Sequence, residues 1–190
     1  MEKKILICGH RSFVATGLIN KFKTAGIDFD CFSRGKEERN GNVVTGDVFL
    51  MHQNSELSEN YDTVVNYILL KGKSVEENIQ YCQSLLQFCK DKHVKNLIQI
   101  SSISVYPNES LEVDETSAIE EDYHNKGGYA SIKVAVDHYL MEHPIGGLQV
   151  SFVRPGYIYT KNQDISKAGI LVSKFGLNIL LGDKRTTLPL

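Results

Sequence analysis

Apolar residues follow two different spacings along the chain, and the spacings alternate from one segment to the next. Short, nearly continuous apolar runs predict strands at residues 3–9, 29–34, 42–47, 62–68, 96–101 and 148–155. Apolar residues spaced three or four apart predict amphipathic helices at residues 13–25, 75–89 and 128–142. The longest apolar stripe lies on the second of these helices and consists of Val75, Ile79, Cys82, Leu86 and Cys89.

This alternation predicts an α/β fold with a doubly wound parallel sheet, because parallel neighbours need long crossover connections, which helices usually supply. The apolar run at residues 62–68 is continuous, so we place it at the centre of the sheet, where both faces are covered. Beyond residue 157 the pattern weakens. A helical spacing at residues 164–176 and a short apolar run are the signals in that segment.

Composition and charge restrict the class of protein. The chain has 190 residues, of which 42% are hydrophobic and 23% charged, as in an ordinary globular domain. A net charge of -2 gives no electrostatic reason to bind nucleic acid or an anionic membrane. Apolar runs are too short for a membrane span, and residues 1–9 lack the apolar core of a signal peptide. We therefore expect a soluble, cytoplasmic protein.

Neither the cysteines nor the histidines have the spacing of metal ligands. The four cysteines form no CxxC pair, and the six histidines form no HExxH motif. Cys82 and Cys89 are seven residues apart, so we expect them to be packed thiols on one face of a helix. The sequence therefore predicts no metal site.

The segment GHRSFVA, residues 9–15, follows the first strand and opens the first helix. In an open parallel sheet such a turn lies beyond the carboxyl ends of the strands and directs helix N-terminal amides at a ligand. Gly9 suits the tight turn of a pyrophosphate loop, whereas Ser12 and Ala15 stand where two further glycines are usual. Both residues are small, so the steric requirement is relaxed. On this segment alone, a dinucleotide loop and a plain strand-to-helix turn are both open.

Basic residues follow the second strand, where an acidic residue usually binds a free ribose 2′-hydroxyl. The strand ends at Ser33 and Arg34, and Arg11 lies in the first loop. Guanidinium groups match phosphate oxygens, so the two arginines favour a cofactor with a 2′-phosphate. Solvated surface arginines are the open alternative. Gly46 and Asp47, after the third strand, suit either an adenine contact or a simple turn.

The strongest chemical signal is the pair Tyr129 and Lys133 on the third helix. Residues four apart share a helix face, and an ammonium beside a phenol lowers the pKa of the phenol towards neutrality. Such a tyrosine can exchange a proton with a substrate hydroxyl or carbonyl. Ser102 follows the fifth strand in SSISVYP, on the same rim of the predicted sheet, where it can hydrogen-bond the reacting oxygen.

The segments SSISVY, YASIK and RPG follow one another along the chain in the order of the motifs of the extended short-chain dehydrogenase/reductase superfamily, which they resemble. The resemblance covers residues 4 to about 160. The first loop is similar to the GHRGMVG loop of nucleotide-sugar 4-keto reductases, which use NADPH. The resemblance implies an NAD(P)-binding Rossmann domain at residues 1–157 and a truncated C-terminal substrate lobe, present as a partial substrate-binding region at 158–190.

The same resemblance implies roles for individual residues. Ser102, Tyr129 and Lys133 would be catalytic, and Asn78 and Ser104 would contact substrate. The implied cofactor contacts are Gly9, Arg11, Ser12, Phe13, Val14, Ser33, Arg34, Asp47, Val48, Tyr67, Lys133, Arg154 and Pro155. Tyr67 departs from the small residues usual at its position, and would either crowd the pyrophosphate or turn inward.

The function implied is hydride transfer to or from a nucleotide-activated sugar, with NADP preferred to NAD as the cofactor. We rank 4-keto reduction first, epimerisation second and dehydration last, because residues 103–106 lack the acidic pair that dehydratases carry after the catalytic serine. A non-catalytic NADP(H)-binding regulator or scaffold is the alternative function. The superfamily also suggests a homodimer through the helices after the fourth and fifth strands, and the sequence leaves the oligomeric state open.

Overall fold

A seven-stranded sheet forms the centre of the computed structural model, which describes residues 4–57, 60–109, 112–156 and 158 and two later strands. The strand order is β3-β4-β2-β1-β5-β6-β7, and every neighbouring pair is parallel except β3 with β4. The strands are β1 (Lys4–Cys8), β2 (Phe29–Arg34), β3 (Glu38–Asn40), β4 (Val43–Gly46), β5 (Tyr61–Asn66), β6 (Asn96–Ile100) and β7 (Gln149–Val153).

Three α-helices connect these strands: α1 (Phe13–Ala25), α2 (Val75–Asp91) and α3 (Gly128–Glu142). Short 3₁₀ helices lie at Val48–Gln53, Ile103–Val105 and Tyr123–Asn125. Helix α1 begins where the side chain of Ser12 accepts the backbone N–H of Ala15, and it ends at Gly26, whose φ of 67° closes the last turn. The bounds of α1 and α3 agree with the apolar spacing in the sequence.

The helices cover both faces of the sheet, which confirms the doubly wound α/β fold. On one face, Ile7 and Cys31 pack against apolar residues of α1. On the other, Leu6 and Phe32 pack against α2 and α3, where Leu85 is fully buried. Alternate residues of one strand point to opposite faces, so β1 contributes to both clusters. The cysteines of α2 are buried free thiols, as their spacing indicates.

Strand β3 is a feature that the sequence pattern does not predict. Its three residues are polar, and they pair antiparallel with β4. The Arg39 guanidinium donates to both carboxylate oxygens of Asp30, at 3.3 and 3.1 Å, and Asp30 is fully buried. The antiparallel pairing with β4 across a two-residue turn, together with this ion pair, places β3 at the sheet edge.

The chain divides into two compact units, Met1–Pro155 and Gly156–Leu190. In the second unit, β8 (Leu171–Lys174) pairs antiparallel with β9 (Leu177–Leu180). The helix expected at residues 164–176 is therefore wrong for 171–174, and the rest of that range lies outside the described residues. A short apolar run does not distinguish helix from strand by spacing, and here the pairing of Val172 with Ile179 decides for a strand.

No helix among the described residues is both long and apolar enough to cross a membrane.

We predict that Leu85→Ala lowers the free energy of unfolding by about 2–5 kcal/mol, because it leaves a cavity where α2 meets the sheet. Gln83→Ala is the matched control, since Gln83 is exposed on the same helix. Chemical denaturation of both variants measures the difference. Equal stability of the two variants would contradict the packing of α2 described above.

Candidate functional site

A cavity of about 420 Å³ opens at the carboxyl ends of the strands, beside β1. Strand β1 pairs with β2 on one side and β5 on the other, so the chain changes direction across the sheet at this point. Ligands of doubly wound folds bind at such a switch point. The cavity is lined by Gly9, Arg11, Ser12, Ser33, Arg34, Val48, Tyr67, Ile68, Leu69, Leu70 and Lys71.

Gly9 shapes the floor of this cavity. Its φ is 83°, a conformation that residues with a side chain rarely adopt. A Cβ atom at this position would also lie 3.1 Å from the backbone of Tyr67 and Ile68. Because Gly9 has no side chain, the loop after β1 can approach the loop after β5, and no Cβ atom fills the space between the two loops.

The N-terminus of α1 faces outward with unused hydrogen-bonding capacity. Ser12 caps the amide of Ala15 at 3.2 Å, and the helix supplies no acceptor for the amides of Phe13 and Val14 in its first turn. That first turn carries no acidic residue. By contrast, the first turn of α2 is closed by a capping box between Ser74 and Glu77. The α1 N-terminus thus suits an anionic group.

Basic side chains surround the outer part of the cavity. Arg11, Arg34 and Lys71 all line it, and none of its lining residues is acidic. The Ser33 hydroxyl, on the same lining, is buried and has no hydrogen-bond partner among the described residues. The positive potential, the uncapped amides and the unpaired hydroxyl fit the pyrophosphate and the ribose phosphate of a dinucleotide.

Ser102 begins the loop after β6 and accepts two hydrogen bonds from Ser104. The Ser104 amide donates at 3.2 Å and the Ser104 hydroxyl at 3.0 Å. This arrangement fixes the Ser102 oxygen and leaves its proton free to be donated. The Ser102 hydroxyl also interacts with Tyr129, whose pKa it lowers. The structure therefore brings Ser102, Ser104 and Tyr129 together, as the sequence suggests.

Tyr129 and Lys133 lie one turn apart on α3, with the Lys133 Nζ atom 5.7 Å from the centre of the tyrosine ring. Lys133 is only 4% exposed, and its Nζ donates to the Ile100 carbonyl at 2.6 Å. The pKa of Tyr129 is raised, chiefly by burial of the phenol. The expected lowering of that pKa by Lys133 is not seen in this structure, because the ammonium is turned to the carbonyl.

Several residues from the family pattern contact protein groups instead of lining the cavity. Asn78 is buried, and its side chain accepts the Leu70 amide at 2.9 Å and donates to the Ser74 carbonyl at 2.8 Å. It thereby holds the loop that lines the cavity. Asp47 caps the 3₁₀ helix at Val48–Gln53 and accepts the Phe49 amide at 2.9 Å.

At the end of β7, Arg154 donates to Asp137 at 3.2 Å. The carbonyl of Pro155 accepts the amide of Ile103 at 3.1 Å, next to Ser102. Arg154 and Pro155 therefore contact residues that flank Ser102 or α3 and do not line the cavity. Phe13 is 57% exposed at the start of α1.

The sequence patterns do not predict four of the residues that line the cavity: Ile68, Leu69, Leu70 and Lys71. They follow Tyr67 directly after β5, the strand that neighbours β1. The signal that could have found them is topological, because loops after adjacent parallel strands share one edge of the sheet.

Comparison with protein families finds one whose model, described as the NAD dependent epimerase/dehydratase family, matches residues 5–189. Comparison with curated protein sequences finds no match.

Solved structures with a similar fold include the terminal R domain of the myxalamid PKS-NRPS pathway, at 22% identity and a TM-score of 0.66 over 81% of this chain and 48% of that one. The UDP-N-acetylglucosamine 4-epimerase of Bacillus cereus is 21% identical, with a TM-score of 0.63, and the match covers 80% of this chain and 53% of that one. The Bordetella bronchiseptica enzyme WbmG, in complex with NAD and UDP, is 15% identical, with a TM-score of 0.63, and the match covers 81% of this chain and 53% of that one. The chain thus spans about half the length of these proteins.

We predict that Gly9→Ala lowers the free energy of unfolding by about 1–3 kcal/mol, because φ is positive and the new methyl group meets the Tyr67–Ile68 backbone. Gly17→Ala is the control: Gly17 lies inside α1 with open space around its Cα, so alanine should stabilise by about 0.5–1 kcal/mol. Denaturant unfolding measures both. A stabilising Gly9→Ala would contradict the loop conformation.

Proposed function

The chain belongs to the NAD dependent epimerase/dehydratase family, and on that premise we propose that it binds NADP(H) and catalyses 4-keto reduction or epimerisation of a nucleotide-activated sugar. One observation carries the proposal. The basic cavity at the switch point and the cluster of Ser102, Tyr129 and Lys133 are built from loops and a helix at the same edge of one sheet.

The lining of the cavity supports a dinucleotide with a 2′-phosphate. The amides of Phe13 and Val14 would receive the pyrophosphate at the N-terminus of α1, above the open floor at Gly9. Arg11 and Arg34 would pair with the 2′-phosphate, where an acidic residue would repel it. Val48 offers an apolar contact for the adenine ring.

The bound nicotinamide would supply or accept the hydride at the sugar carbon. Tyr129, with its raised pKa, holds its proton near neutral pH and would donate it to the oxygen of a sugar ketone. Ser102, whose oxygen is held by Ser104, would donate a hydrogen bond to the same oxygen and stabilise the charge that develops there. The first loop, which is similar to that of 4-keto reductases, and the basic residues that line the cavity favour reduction, so we rank it ahead of epimerisation.

The substrate class is suggested by relatives of this fold. WbmG is described with NAD and UDP, and the Bacillus cereus protein as a UDP-N-acetylglucosamine 4-epimerase. A nucleotide-activated sugar is accordingly the first class to screen, with reduced dinucleotide and 4-keto sugar nucleotides as the starting panel.

We predict that the chain binds NADPH more tightly than NADH, and that Arg34→Ala weakens NADPH binding about tenfold or more without weakening NADH binding. Titration calorimetry at one fixed salt concentration measures both cofactors. Lys90→Ala is the control, since Lys90 is an exposed cation of α2 away from the cavity lining. Equal affinities for both cofactors in the wild-type protein would refute the 2′-phosphate assignment.

We predict that Tyr129→Phe lowers kcat by about a hundredfold or more while NADPH still binds, because the variant loses the proton donor and keeps the ring. Loss of nicotinamide absorbance with 4-keto sugar nucleotides measures turnover. Tyr139→Phe, on the same helix, should leave turnover unchanged. NADPH binding without turnover by the wild-type protein across the panel would favour the non-catalytic regulator instead.

A further inference from the structure

A buried carboxylate lies on the same helix face as the proposed proton-transfer residues. Asp137 is one helical turn beyond Lys133 and two turns beyond Tyr129, so the three side chains form one stripe along α3. Asp137 is 0% exposed, and a carboxylate is almost never buried to this extent unless it is paired. The proposed reaction does not use this group directly, so its presence calls for another role.

The contacts of Asp137 join α3 to the ends of two strands. Its Oδ2 atom accepts the Ser101 hydroxyl at 2.8 Å and the Arg154 Nε at 3.2 Å. Ser101 follows β6 directly and its amide donates to the Val153 carbonyl at 2.7 Å. The carboxylate is therefore fixed at the point where β6 and β7 deliver the loop that carries Ser102.

Arg154 is itself held in one orientation. Its guanidinium lies 5.3 Å from the ring centres of both Tyr106 and Phe152, and its Nη1 atom donates to the Tyr106 hydroxyl at 3.2 Å. Arg154 is thus a fixed cationic partner of the Asp137 carboxylate. The other carboxylate oxygen, Oδ1, is buried and has no hydrogen-bond partner among the described residues.

Lys133 is a second cation, one helical turn from Asp137, and its ammonium donates to the Ile100 carbonyl rather than to the carboxylate. Burial lowers the pKa of the Lys133 ammonium, and the Asp137 carboxylate raises it. Cys82, which faces both groups from α2, is a fully buried thiol whose pKa is raised to about 12, so it carries no charge near neutral pH. Tyr129 on the same stripe is also neutral there, because a phenol normally titrates near pH 10 and partial burial raises its pKa further. Among the described residues, Asp137 is therefore the group of this stripe that can carry a negative charge. Burial raises the pKa of its carboxyl, and the contacts with Ser101 and Arg154 oppose that rise.

We infer that Asp137 is a positioning residue: its buried carboxylate keeps Lys133 protonated and anchors the Lys133 turn of α3 to the ends of β6 and β7. One carboxylate between two cations leaves a net positive charge, and Lys133 presents that charge next to Tyr129. The meaning of this arrangement for catalysis rests on the proposed function, whereas the charge state of Lys133 does not.

Titration of Lys133 by NMR tests the inference without cofactor or substrate. The full chain is labelled with ¹³C at lysine Cε, and the Lys133 signal is assigned with Lys133→Met. In the wild-type protein we expect Lys133 to remain protonated through neutral pH. A wild-type midpoint at or below pH about 7 overturns the inference, whatever the variants show, because a lysine normally titrates near pH 10.4.

Asp137→Asn keeps the shape of the side chain and removes its charge. We expect the Lys133 midpoint to fall by about one pH unit or more, which is a tenfold change in the ratio of charged to neutral lysine. Glu142→Gln is the matched control, since Glu142 is an acid of the same helix whose side chain is 67% exposed. Its loss should leave the midpoint unchanged.

Asp137→Asn leaves Arg154 buried without its counter-ion, and the variant is at risk of misfolding for that reason. The double variant Asp137→Asn with Arg154→Gln removes both charges together. Loss of the Arg154 cation raises the Lys133 midpoint and offsets the loss of Asp137, so the double variant is compared with Arg154→Gln alone. A folded Asp137→Asn variant with the wild-type Lys133 midpoint, or a folded double variant with the Arg154→Gln midpoint, refutes the inference. A lowered midpoint in a protein that binds no dinucleotide would support it and would refute the proposed function alone.

Discussion

The parallel pairing of β1 between β2 and β5 is the constraint on which the rest of the structure depends. Backbone hydrogen bonds hold Cys8 level with Phe32 on one side and with Asn66 on the other, so the three strands end together. The loops that follow them meet at one edge of the sheet and enclose a cavity. This register places the loops that carry most of the cavity lining, and at Gly9 the loop after β1 comes close to the Tyr67 and Ile68 backbone.

Charge is arranged differently at the cavity and around the Tyr129 and Lys133 pair of α3. At the cavity, the helix supplies no acceptor for the first amides of α1, basic residues line the opening, and no acidic residue in the described part of the chain lines it. Beside the Tyr129 and Lys133 pair, Asp137 is enclosed with Arg154 and Ser101 and is not exposed to water. The first arrangement suits the reception of an anion from solution, whereas the second fixes a charge permanently inside the protein.

Tyr129 shows why the spacing of two residues is not enough to state a pKa. The sequence places Lys133 one turn away, and proximity alone predicts that the pKa of the phenol is lowered. In the fold, burial of the phenol raises that pKa, and the Lys133 ammonium donates to the Ile100 carbonyl. The pKa of this phenol therefore depends on its partial burial and on the group to which the Lys133 ammonium donates, and spacing along one helix specifies neither.

Apolar spacing by itself determined the alternation of strands and helices, the bounds of α1 and α3, and the doubly wound fold, because these follow from the periodicity of one segment at a time. The motifs also single out Ser102, Tyr129 and Lys133 as candidates for proton transfer, and that role stays a prediction. Tertiary structure decided the rest. Strand β3 is placed by its pairing with β4 and by the contact of Arg39 with the buried Asp30, and β8 by its pairing with β9. The engagement of Asn78 and Arg154 with protein groups, and the burial that sets the pKa of Tyr129, likewise depend on residues distant in sequence. A single segment does not encode such contacts, because hydrogen bonds, ion pairs and desolvation are properties of the packed chain.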